Sequence, residues 1–199
     1  MHGRETASQL NLDSVRAPGS EGLWTFVFID MVVFQLIFLT FMGDRLGKAA
    51  LYSASQSQLS VSLGLTNTLI LLTSSWMVVE AVRAARARDP RHVSRYLAIA
   101  GLLGVAFVGN KIFEYGSKVH DGITPATNPF FSYYYFITFV HLMHVIAGVG
   151  FLTYFQSRAK AQTGSPVFQR RLENVGLFWH FVDVLWLFIF ALLYLVGRP

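Results

Sequence analysis

The chain contains no cysteine. That excludes disulfides, iron–sulfur clusters held by thiolates, and copper centres that need a thiolate ligand. Charge is also scarce. Asp, Glu, Lys and Arg make up 14% of the 199 residues, where a soluble domain carries about a quarter. Apolar side chains take their place: 53% of residues are hydrophobic, 18 residues are Phe, and the mean hydropathy is +0.46. The net charge of +5 does not point to nucleic acid. The basic residues gather between apolar runs, where they act as topology signals.

Residues 1–21 form a polar tail with Arg4, Arg16, Pro18 and Gly19. The apolar run that follows is too long for a signal-peptide core, and no small-residue cleavage site follows it, so it is expected to be a retained first span. Five such runs stand out: Gly22–Met42, Ser60–Val82, Val93–Gly116, Phe131–Gln156 and Leu172–Val196. At about 1.5 Å per residue, each covers a hydrocarbon core of about 30 Å. The connections Gly43–Leu59, Arg83–His92, Ser117–Pro129 and Ser157–Arg171 are too short for a second domain. The expectation is an all-α integral membrane protein, with one five-transmembrane-helix bundle over residues 22–199.

Orientation follows from counting Lys and Arg. One side receives Arg4, Arg16, Arg83, Arg86, Arg88, Arg91, Arg95, Arg158, Lys160, Arg170 and Arg171; the other receives Arg45, Lys48, Lys118 and Arg198. This bias predicts a cytoplasmic N-terminus and a C-terminus on the periplasmic or outer side.

The informative residues are the polar ones inside the runs. Such groups are costly in lipid, so they are expected to face protein or a cavity. In the fifth run, Trp179, His180, Asp183 and Trp186 give a polar face edged by indoles. Asp30 lies in the first run at a depth similar to His180 and to His144 of the fourth, while Asp183 lies near the level of His141. A layered polar interior is expected. The H-x-x-H pair His141 and His144 is read as bonding between helices rather than as a metal or haem site, because the dense histidine boxes of membrane di-iron enzymes are missing. Asp30 and Asp183 are proton-relay candidates, against a simpler role as carboxylates that join helices. Lys111 and Glu114, three apart, are expected to pair, with snorkelling of Lys111 to the interface as the alternative. Glu173 closes the cytoplasmic end of the fifth run, and Glu80 can pair with Arg83. Asn67 and the small residues Gly101, Gly104 and 147–150 are expected to pack helices. The stripe Phe34, Phe38, Phe41 is expected to face lipid or a partner chain. No catalytic, cofactor-binding or metal residue is assigned.

Four collinear motifs resemble subunit III of the haem–copper oxidases: Leu65-Thr66-Asn67-Thr68-Leu69-Ile70-Leu71-Leu72-Thr73-Ser74-Ser75; Phe113-Glu114-Tyr115; the H-x-x-H-V-x-x-G of His141–Gly148; and Glu173 followed by Trp179-His180-Phe181-Val182-Asp183-Val184-Leu185-Trp186. The resemblance covers Gly22–Val196. It implies a non-redox accessory subunit beside subunits I and II, with haem and copper in the partner, phospholipid as a possible ligand, and support of proton uptake and of the catalytic centre during turnover. Asp30 stands where the family usually has Glu. The longest members have seven spans and hold lipid in a cleft beside the first two, which this chain lacks. Five-span forms resemble the subunit III of quinol oxidases and also a subunit III-like protein of nitric oxide reductases. The segment Ala126–Phe131 and Lys111 lean towards the latter, which is the alternative expectation. A stand-alone His-ligated metal or haem enzyme, or a small proton-coupled carrier, would be the readings outside this family.

Overall fold

The computed structural model describes residues 19–196. The polar tail, with Arg4 and Arg16, and Arg198 at the other end lie outside the described residues.

Six α-helices form: α1 Glu21–Gly47, α2 Ala49–Gln56, α3 Val61–Arg86, α4 Pro90–His120, α5 Pro129–Gln162 and α6 Pro166–Phe190. A π-helical turn, Ala191–Leu195, extends α6. The five long helices are each long and apolar enough to cross a membrane. Their starts are set by local chemistry. Ser20 and Ser60 cap α1 and α3 by accepting from the Leu23 and Leu63 amides. Asp89 caps α4 and Asn128 caps α5, each followed by a proline at the first helical position. Proline costs nothing there, because that amide has no intrahelical partner. The side chain of His92 and its backbone N–H, hydrogen-bonded to Asp89, hold that exposed carboxyl below the usual carboxylate range.

These caps explain the boundary differences. The apolar runs underestimate the helices, since α4 begins at Pro90 and α5 runs on to Gln162, into segments expected to be connections. Inside the Gly43–Leu59 connection lies α2, whose Tyr52 is buried and donates to Asp44 Oδ2 at 2.7 Å. Burial, with the neighbouring Asp44 carboxylate, pushes the Tyr52 phenol well above its usual range.

α3, α4, α5 and α6 form a closed four-helix bundle, each packed on its chain neighbour and α6 on α3. α1 leans on the α5–α6 edge, hiding only Val27, Phe34 and Phe41 of its own residues. The Phe34 and Phe41 expectation is thereby corrected. Both are buried within the chain, Phe34 against His144 and Phe41 against Tyr52, Phe130 and Tyr133. Only about a third of α1 touches the bundle, and these rings occupy that third.

α6 is the most buried of the five spanning helices, with Trp179 and Trp186 fully inside. Helix crossings this close need glycine. A Cβ on Gly148 would stand 2.6 Å from Trp179 Cε3, and one on Gly104 2.9 Å from Trp179 Cη2. The Trp179 indole therefore lies where α4 and α5 offer backbone instead of side chain.

Candidate functional site

Three polar groupings cross the interior. The most enclosed is built on Lys111 of α4, whose side chain is 0% exposed. Its ammonium donates to Glu114 Oε2 at 2.9 Å and to the Tyr134 and Tyr194 hydroxyls at 3.3 Å each. Tyr194 Oη donates in turn to Glu114 Oε1 at 2.7 Å. All three ammonium donors are thus used. The rings of Tyr134, Tyr115 and Trp186 lie 4.9–5.5 Å from Nζ, within cation–π range. The i,i+3 spacing sets Lys111 and Glu114 on one face, and that face points into the bundle. Lys111 is buried, so the snorkelling alternative is not what the side chain does. The π-helical turn after α6 carries the Tyr194 hydroxyl into the cluster. Tyr134 and Tyr194 were not singled out from the sequence, because tyrosines near the ends of spans read equally well as an interfacial belt.

The second grouping joins α1 to α5. His144 Nε2 stands 3.4 Å from Asp30 Oδ1. His144 Nδ1 lies 2.8 Å from the Val140 carbonyl oxygen, which can only accept, so Nδ1 carries a hydrogen. The Nε2 of His144 thus faces the Asp30 carboxyl at ion-pair distance, able to act as donor or acceptor. Phe26, Phe34 and Phe178 surround the imidazole. Asp30 Oδ2 is buried without a hydrogen-bond partner.

The third grouping lies between α3 and α6. His180 Nδ1 bonds the Ser75 hydroxyl, Trp186 Nε1 donates to Thr68 Oγ1 at 3.1 Å, and Ser74 donates to the Ala100 carbonyl of α4. Asn67 accepts from Asn110 Nδ2 at 3.0 Å, which ties α3 to α4. Glu173 Oε1 accepts from Arg86 Nε and Nη2, closing the end where α3 meets α6, and Glu80 pairs with Arg83 at 2.6 Å.

Two expectations about these residues need correcting. His141 does not bond between helices: neither ring nitrogen has a hydrogen-bond partner, and the ring packs against Phe107 and Trp186. Nor does Asp183 join helices through a hydrogen bond. Both its oxygens are buried and unbonded; Ser75 lies beside it, but its hydroxyl is directed to His180. The i,i+3 pattern puts His180 and Asp183 on neighbouring positions, and α3 then supplies a hydroxyl that takes the histidine. Among the described residues no three His, Cys, Asp or Glu side chains come together as a metal site.

A groove of about 1110 Å³ opens beside the Asp30–His144 pair, between α1, α5 and α6. Leu23, Phe26, Phe151 and Phe178 give it apolar walls, and Arg171 and Asn174 lie towards the start of α6. Neither of those two residues stood out in the sequence, because a basic residue near the end of a span is first a topology signal.

Comparison with known proteins places this geometry. The model of the family described as cytochrome c oxidase subunit III matches residues 11–198. The quinol oxidase subunit 3 of Bacillus subtilis is 32% identical over 178 residues, covering 88% of this chain and 86% of its own length. The cytochrome c oxidase subunit 3 of Alkalihalophilus pseudofirmus is 32% identical over 177 residues, at 88% and 85% coverage. That of Bacillus sp. strain PS3 is 29% identical over 177 residues, at 88% and 84%. These relatives are named as oxidase subunits, and none supports the nitric oxide reductase expectation. With five membrane-capable helices and a family match over residues 11–198, the chain is a multi-pass membrane protein that belongs to the cytochrome c oxidase subunit III family.

Proposed function

We propose that this chain is the non-redox accessory subunit of a haem–copper oxidase in a bacterial inner membrane. It sits beside the subunit that carries haem and copper, subunit I with its companion subunit II. The family match over residues 11–198 carries this reading. The relatives named above include both quinol and cytochrome c oxidase subunits, so the electron donor is left to the partner. In this role the chain binds no prosthetic group; it stabilises the catalytic subunit and supports its proton uptake. Two features of the interior suit that work. Asp30 and His144 set a carboxyl and an imidazole, two groups able to exchange a proton, face to face between α1 and α5. The adjoining groove has apolar walls suited to acyl chains and, in Arg171, a cation for a phosphate. A phospholipid is its proposed occupant. The cationic ends of α3 to α6 face the cytoplasm, as the Lys and Arg bias suggests.

Asp30→Asn tests the proton role. Asparagine keeps the size and can donate to His144 Nε2, yet it cannot take up or release the proton. An oxidase carrying this variant is expected to keep its full haem content and to inactivate faster during sustained turnover. An inactivation rate equal to wild type would remove the proton role while leaving subunit membership intact.

A further inference from the structure

Most polar side chains in the spanning helices find a partner inside the chain. Thr40 and Thr73 return their hydroxyls to their own helix, and Asn67, Thr68, Lys111 and Glu114 are bonded between helices or within the bundle. Gln35 of α1 is different. Its side chain is exposed, and among the described residues it makes no hydrogen bond. It is also placed where the membrane offers nothing in return. It lies 13 residues from Gly22 and 7 from Met42, the two ends of the apolar run, about 20 Å and about 10 Å from them at 1.5 Å per residue. An amide at that depth is too far from either interface to snorkel. Acyl chains can neither donate to it nor accept from it.

The residues around Gln35 form a helix-docking pattern. Phe28, Gln35 and Met42 repeat every seven residues, and Met31 and Leu39 fall between them; all four apolar members are exposed. At about 100° per residue this stripe spans about 80° of the helix and lies about 100° around from the buried Val27, Phe34, Phe41 face. It is therefore a different face from the one by which α1 is buried on the bundle. Trp24 continues the stripe, and beside it a smaller groove of about 230 Å³ runs between α1 and α6, lined by Trp24, Leu177, Phe181 and Val184. A seven-residue apolar repeat with one polar side chain at its centre suits a neighbouring helix at a shallow crossing angle, with the polar residue setting the register. The flexible thioethers of Met31 and Met42 can adapt to such a surface.

We infer that the Phe28–Gln35–Met42 face of α1 docks a membrane-spanning helix of another oxidase subunit, which presents a hydrogen-bonding side chain to the Gln35 amide within the bilayer. This rests on the functional reading above, since membership of an oxidase complex supplies the partner. The charge-free surroundings leave the amide as the one specific group on this face.

The absence of cysteine makes a direct test available in the assembled complex. Single variants Gln35→Cys and Phe28→Cys, with Ile29→Cys and Val33→Cys as controls on other exposed faces of α1, are labelled with a benzophenone maleimide in native membranes and irradiated. Gln35→Cys and Phe28→Cys are expected to give a product that contains a larger oxidase subunit, and the controls are not. In parallel, Gln35→Leu, which keeps the helix apolar and insertable, lowers the oxidase retained on a tagged chain under raised detergent by about three- to tenfold, the weight of one intramembrane hydrogen bond. A product of two copies of this chain would overturn the inference in favour of self-association. Lipid adducts alone at all four positions would overturn it in favour of a lipid-facing surface. If the wild-type chain retains oxidase in either case, this inference alone falls. Should it retain none, the functional reading falls as well.

Discussion

At the scale of single residues, the most enclosed ion pair, Lys111 with Glu114, is completely hydrogen-bonded. Lys111 and Glu114 are removed from solvent, and their hydrogen-bonding groups are met by each other and by Tyr134 and Tyr194. Removing one member of such a pair leaves the other charge buried without compensation, which costs about 3–5 kcal/mol, whereas replacing both with apolar residues of similar size is often neutral. Glu114→Leu is therefore expected to lower the unfolding free energy of the chain in detergent by about that amount, and Lys111→Met combined with Glu114→Leu to restore most of it. Chemical denaturation of the three proteins measures this. A single variant as stable as wild type would show that the pair does not hold the fold. The pairing of Lys111 with Glu114 was legible from their three-residue spacing. The tyrosines were not, because which ring meets the ammonium depends on how α5 and the π-helical turn are placed across the bundle. His141 and Asp183 went the other way. Each was expected to join helices through hydrogen bonds, but His141 packs its ring on Phe107 and Trp186 and the Asp183 oxygens stay unbonded.

Among the elements, α6 is central because α4 and α5 give up side chains at Gly104 and Gly148 to accommodate its Trp179. Gly148→Ala would put a methyl 2.6 Å from Trp179 Cε3 and Cζ3, whereas Gly150→Ala meets nothing within 4 Å. The first is expected to destabilise the bundle by about 1–3 kcal/mol through overpacking, and the second to stay within about 0.5 kcal/mol of wild type. Thermal unfolding followed by circular dichroism separates them; equal midpoints would mean that α5 and α6 are not in close contact at this level. The five spanning helices were readable as apolar runs because lipid leaves a spanning segment few alternatives. Their ends were not, since the Asp89-Pro90, Asn128-Pro129 and Ser165-Pro166 starts lie in polar stretches where turn and cap signals look alike. α2 was hidden for the same reason. Its Ser- and Gln-rich sequence has little apolar periodicity, and its place depends on tertiary bonds, Tyr52 to Asp44 and Asn128 Nδ2 to Ser55 Oγ.

At the scale of the whole molecule, a closed bundle of α3 to α6 carries α1 as an outrigger with one face bound inward. Asp30 and His144 fasten that helix at mid-depth, while the rest of its apolar surface stays open to lipid or protein. This arrangement suits a subunit that joins a larger membrane assembly. Its orientation is testable with the same cysteine-free background: Gln58→Cys, beside α2, is expected to react with an impermeant maleimide from outside intact cells, and Arg88→Cys only after the membrane is opened; the reverse pattern would invert the topology. The central claim is that the chain works beside a redox subunit and has no redox centre of its own. The most direct measurement is the visible absorption spectrum of the tagged chain purified from native membranes, taken before and after the complex is dissociated. The account predicts haem bands with a co-purifying larger subunit before dissociation, and a colourless 22.3 kDa chain after it. Haem bands that stay with the isolated chain, or a preparation with no haem-bearing partner at the outset, would contradict it.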